Sequence, residues 1–136
     1  MAGRGVWRAA VVSLLMLVES LHAQDKAEGR KHYVTFCSGC HGDTGKGNGP
    51  AAVSLPIKPT DHTDGTIMNQ LSNRFLFDII SRGGPAVGKS PLMPAWGSHL
   101  GEKQIRDLIA YLRSLAQPPP PPVAESKKPP TKAPPP

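Results

Sequence analysis

Three stretches of the chain place apolar residues at helical intervals. The strongest is near the C-terminal end, where Ile105, Leu108, Ile109, Leu112 and Leu115 fall on one face, with Glu102, Lys103, Arg106, Asp107 and Arg113 at the outer positions. Leu100 and Ile105 bracket Gly101 as a hydrophobic staple does, and Gln117-Pro118 predicts the stop. A second stretch, Phe75, Leu76, Ile79 and Ile80, follows Ser72 as a cap and is closed by Gly83-Gly84. A third opens at Asp25 and Glu28, spaced as a capping box, and is expected to run as one helix from Lys26 to Cys40 with Gly29, Tyr33 and Cys37 on one face. A short helix is expected around Met68 in TIMNQL. No segment alternates apolar and polar residues long enough to argue for a sheet. The predicted fold class is all-α, three or more helices joined by long loops.

The ends read differently. Arg4 and Arg8 precede the apolar run Ala9 to Val18, which is followed by Glu19-Ser-Leu-His-Ala23. This is the pattern of a secretory signal peptide, and its apolar run is about half the roughly 20 residues that a membrane-spanning helix needs. Residues 1–23 are therefore expected to be removed and the mature chain to lie outside the cytoplasm, in a periplasm. Beyond Gln117, ten of the sixteen prolines fall within the last 20 residues. A stretch of that composition cannot bury a core, so residues 117–136 are expected to be a disordered or polyproline II tail, either a tether to a partner or the envelope or a solubilising extension. The folded domain is expected at 24–116.

Within it, residues 37–41 read CSGCH and hold both cysteines of the chain. A disulfide between Cys37 and Cys40 would close a loop too small to stabilise much. A structural zinc site needs four ligands, and no second cysteine pair exists, while His32, His62 and His99 are scattered. A thioredoxin-like dithiol would need a βαβ pattern. Covalent attachment of a c-type haem accounts for every residue: thiols one helical turn apart reach the two vinyl groups on one edge of a porphyrin, and His41 points at the iron. With only 5% aromatic residues, such a chain gains core from the cofactor, and folding is expected to depend on it.

The sixth ligand decides between carrying electrons and chemistry at the iron. Beyond the leader only Met68 and Met93 remain among the methionines. Met93 stands in SPLMPAWG between Pro91 and Pro94, which stiffen a loop that presents one side chain, whereas Met68 reads as core filling. Met93 is the expected ligand; the alternatives are that it packs on the ring face, or that His62 or His99, otherwise expected on the surface, takes the position. The glycines of GDTGKGNGP lack the order of a phosphate loop and read as a turn approaching the haem edge.

These residues together resemble class I c-type cytochromes: CSGCH, the following HGDTGKGNGP, the Gly29/Tyr33/Cys37 spacing, MPAWG with Met93, and IRDLIAYLRSL. The resemblance covers about Gly29 to Ala116. It implies a cytochrome c-like fold around one covalently bound haem, first and last helices crossing where Gly29 and Tyr33 meet Leu108 and Tyr111, and a proline carbonyl, here that of Pro50, accepting from the second imidazole nitrogen of His41. It also implies that LPIKPTDHTDG lies beneath the haem. The expected function is single-electron transfer, not catalysis, by a monomer. The rivals are a haem enzyme or gas sensor with an open coordination site, and an electron-transfer subunit of a larger dehydrogenase or oxidase complex.

Formal charge is +6, and loss of Arg4, Arg8 and Glu19 with the leader leaves +5. Long-range attraction then favours redox partners with acidic docking faces. No basic cluster supports a nucleic-acid partner.

Overall fold

The computed structural model describes residues 24–119. The expected leader, 1–23, and the tail beyond residue 119 lie outside the described residues. The helices are α1 (Lys26–Phe36), α2 (Ser38–His41), α3 (Gly65–Met68), α4 (Asn73–Arg82) and α5 (Glu102–Leu115), with short 3-10 turns at Pro50–Ser54 and Gly84–Val87. Among the described residues there is no strand, only a single bridge between Asp64 and Gln117, and no helix is long and apolar enough to cross a membrane.

Local chemistry sets most boundaries where the pattern put them. The Asp25 carboxylate accepts from the backbone N–H groups of Ala27 and Glu28, Ser72 Oγ from that of Phe75, and Gln104 Oε1 from that of Gly101. Gly83, at φ 81°, closes α4 in a conformation that glycine adopts without steric cost. The expected single helix from Lys26 to Cys40 is two: the helix is interrupted for one residue at Cys37, at φ −118°, ψ −33°, and α2 starts at Ser38.

α1 and α5 cross at a point of backbone contact. A Cβ on Gly29 would lie 2.0 Å from the Asp107 carbonyl oxygen and 3.0 Å from Leu108 N. Four residues on, the Tyr33 and Tyr111 rings meet at 5.3 Å. Asp107, assigned by pattern to the outer face, is buried: it accepts from the backbone N–H of Asp25 at 2.8 Å and from Lys103 Nζ at 2.7 Å. It therefore ties the start of α1 to the middle of α5. Arg113 also turns inward, its guanidinium donating to Asn73 Oδ1 and to the carbonyls of Met68 and Leu71. Gln117 and Pro118, at the start of the proline-rich stretch, pair with the Thr63–Asn69 segment through Gln117 N–H to Thr63 O, Gly65 N–H to Gln117 O, and Asn69 Nδ2 to Pro118 O.

The crossing makes a first prediction. Gly29→Ala forces α1 and α5 apart, because the obstructing atoms are backbone and cannot rotate aside. A loss of about 1–3 kcal/mol is expected, measured by denaturant unfolding of the holoprotein.

Candidate haem site

The Cys37 break and α2 bring the CSGCH residues to one wall of an apolar cavity of about 300 Å³. Cys37, Cys40 and His41 line it, with both cysteines free. Burial, with a smaller contribution from Cys40, pushes the Cys37 thiol up to about 12, so it stays protonated. The glycine loop folds back to secure this wall: Gly47 N–H donates to His41 O at 2.8 Å and Gly49 N–H to Cys40 O at 3.1 Å. A Cβ on Gly49 would stand 2.5 Å from the Ser38 and Gly39 carbonyl oxygens, so the approach needs glycine there.

His41 Nδ1 lies 3.0 Å from the carbonyl oxygen of Thr60. A carbonyl only accepts, so Nδ1 carries the proton and Nε2 keeps the lone pair free for a metal. Thr60 thus holds the role that the resemblance gave to Pro50, which instead opens the exposed 3-10 turn Pro50–Ser54. Burial lowers the His41 pKa, opposed by the Thr60 hydrogen bond.

His62, expected on the surface, is 9% exposed and its ring stacks on that of His41, with centroids 4.1 Å apart and planes 18° apart. Its Nδ1 is buried and makes no hydrogen bond to the described residues. Burial, then the neighbouring His41, pushes its pKa down to about 3, with Asp61 opposing, so the ring is neutral. His99, by contrast, is exposed as expected, with Ser98 Oγ 2.9 Å from its Nδ1.

Both thioethers line the cavity. Met68 is 0% exposed, a core residue at the end of α3. Met93 is half-buried in the loop after α4, and that loop is anchored at several points. Gly84 N–H donates to Met93 O at 2.9 Å, Trp96 N–H to Ile80 O at 2.8 Å, and Gly97 N–H to Ser81 O at 2.9 Å. Leu71, Phe75, Leu76, Ile79, Ile80, Leu108 and Leu112 complete the apolar lining. At the rim stand Ile57, 67% exposed, and Leu92, 51% exposed, together with Lys58 and Lys89.

Two thiols, an imidazole nitrogen held ready for a metal and two thioethers therefore line one apolar space. That donor set suits a covalently held iron porphyrin: soft sulfur and imidazole for iron, thiols for attachment, hydrocarbon walls for the macrocycle. The structure brings the expected Cys37, Cys40, His41 and Met93 to this cavity; Thr60 was not singled out in the sequence, and His62, weighed there only as an alternative ligand or a surface residue, stands against His41 instead. The only local signal was the turn Asp61-His62-Thr63, in which Asp61 Oδ1 accepts from Thr63 N and Oγ1; nothing in it says which way the His62 ring points.

Residues 24–112 match the family model described as cytochrome c oxidase, cbb3-type, subunit III. The chain is similar to the cbb3-type cytochrome c oxidase subunit FixP of Bradyrhizobium diazoefficiens, 33% identical over 91 residues, which are 67% of this chain and 28% of that one. It therefore spans little more than a quarter of that relative. Among solved structures, a chain of the Kuenenia stuttgartiensis reducing HAO-like protein complex is similar at TM-score 0.54 and 26% identity, over 69% of this chain and 46% of that one. The KustC0563 c-type cytochrome shares the fold at TM-score 0.53 and 21% identity, over 65% of this chain and 98% of its own. With the match extending from the N-terminal cap of α1 into α5, the chain belongs to the c-type cytochromes, in the family of the cbb3-type oxidase subunit III.

Proposed function

We propose that the domain at 24–116 is a monohaem carrier of single electrons between redox proteins of the periplasm. The observation that carries this reading is the convergence of Cys37, Cys40, His41 and Met93 on one apolar cavity. Cys37 and Cys40 would hold the haem covalently, and His41 and Met93 would fill both axial positions. A haem so held supplies a one-electron ferric–ferrous couple. The protein's part is to keep His41 in one tautomer through Thr60, to present Met93 from an anchored loop, and to keep water from the apolar walls. With His41 and Met93 as its ligands the iron would offer no open position to a substrate, which favours a carrier over an enzyme.

Lys58 and Lys89 at the rim, with the basic charge of the chain, favour an acidic docking face on a periplasmic or membrane redox partner. The domain acts as a monomer, and the leader 1–23 and the tail 117–136 are the export signal and a solubilising or tethering extension. A second reading, a fixed subunit of a larger complex, is favoured by the relatives, which are named as parts of an oxidase and of an HAO-like complex.

The test is a redox titration of the purified exported protein with carbon monoxide present and absent. One haem per chain, a reversible one-electron wave and no carbon monoxide adduct at neutral pH are expected. Ready binding of carbon monoxide by the unmodified protein would favour the open-site enzyme or gas sensor. Co-elution with a partner on gel filtration would favour the subunit.

A further inference from the structure

We propose that His62 is a positioning residue for His41, its stacked imidazole fixing the rotation of the His41 ring about its bond to the iron. The inference rests on the reading that His41 is an axial ligand. A single hydrogen bond from Nδ1 to the Thr60 carbonyl anchors the edge of the His41 ring but leaves it free to swing about that contact. The His62 ring lies flat against the His41 face at 4.1 Å and 18°, which removes that freedom. Thr60 and His62 belong to one three-residue segment, so the same turn grips His41 by its edge and by its face.

That segment is itself held. The His62 N–H donates to Gly45 O at 2.7 Å, and Thr63 closes the turn onto Asp61 Oδ1 through its N–H and its hydroxyl. Gly45 approaches so closely that a Cβ there would stand 3.3 Å from the His62 Cβ. On the inner side, the Tyr33 ring meets His62 near-perpendicularly, with centroids 6.0 Å apart and planes 71° apart, and the Tyr33 hydroxyl is fixed by donation to Gly42 O at 2.9 Å. His62 is thus held between a fixed tyrosine and the ligand ring.

Packing alone does not account for the residue. An aliphatic side chain would fill the same space but would present no planar face to the His41 ring. What the histidine adds is a flat face parallel to the ligand. A ligand ring fixed in both oxidation states means little rearrangement during electron transfer, as outer partners of metal-bound histidines provide.

The test compares His62→Leu, which keeps apolar bulk, with His62→Phe, which keeps a flat ring, in the haem-loaded protein. His62→Leu is expected to broaden or split the low-spin ferric EPR signal and to slow electron self-exchange about tenfold. His62→Phe should retain a single signal and near-native exchange. Unchanged signals and rates in His62→Leu, with only its melting temperature altered, would overturn the proposal. In case neither variant folds, proton NMR of the unmodified ferrous protein gives a second measurement: cross-relaxation between the His62 and His41 rings is expected, and its absence overturns the proposal. A wild-type spectrum without histidine ligation would instead refute the function proposed above, which keeps the two failures distinguishable.

Discussion

Replacing Cys37 and Cys40 together by serine is expected to abolish haem that survives denaturing electrophoresis and to leave little folded protein. The cavity explains why both losses come together. Its walls are Leu71, Leu76, Ile80, Leu108 and Leu112, contributed by α4, α5 and the turn between α3 and α4. α1 and α5 meet directly at Gly29, whereas α2 and the Met93 loop both line the cavity, and their packing depends on what fills it. A domain of this size has a net stability of about 5–15 kcal/mol. A haem joined by thioether bonds stays with the chain folded or unfolded, so its contribution to that stability is the apolar surface it buries against these walls. Gel staining for haem and circular dichroism of the exported double variant check the two losses. A folded, haem-free variant at wild-type yield would refute the proposed attachment.

Met93→Ala carries the second large effect. A thioether is a soft ligand that favours ferrous iron, and paired with histidine it raises the reduction potential relative to two nitrogen ligands. Its removal is therefore expected to lower the potential, abolish the charge-transfer band of a ferric iron–sulfur bond, and allow carbon monoxide to bind, with weak peroxidase activity. Because the Met93 loop is anchored through Met93 O, Trp96 N–H and Gly97 N–H, all backbone groups, the substitution leaves the loop in place and changes only the ligand. Met68→Ala is the control. That side chain is fully buried at the end of α3, so its loss should cost about 2–5 kcal/mol of stability with the visible spectrum unchanged. Spectra and potentials of the two variants side by side decide which methionine serves the iron. An unaltered spectrum in Met93→Ala would return the sixth position to Met68 or to a histidine.

The helices and the donor residues could be read from the chain because their causes are local. The period of Ile105 to Leu115, the Ser72 and Asp25 caps and the Gly83 stop act within a few residues of where they stand, and CSGCH states its chemistry in five consecutive positions. The break at Cys37 was not legible, since nothing in the spacing distinguishes a continuous helix from two short ones. Asp107 and Arg113 read as solvated because charge on an outer helical position is normally exposed. They are drawn in by partners far along the chain, a backbone N–H 82 positions away for Asp107 and carbonyls more than 40 positions away for Arg113.

The same division runs through the site. By itself the sequence determined an all-α domain and its main helices, and CSGCH named Cys37, Cys40 and His41 as candidate haem residues, since residue type and short spacing are enough to state that chemistry; Met93 was an expectation from its proline-bracketed loop. Only the tertiary structure decided that the carbonyl behind His41 belongs to Thr60, 19 positions away, and that His62 turns inward to stack on His41. A carbonyl is present on every residue and a histidine ring can face either way. Which carbonyl is reached, and which way the ring turns, depends on where the Gly45 loop, Tyr33 and the Asp61 turn come to rest against one another.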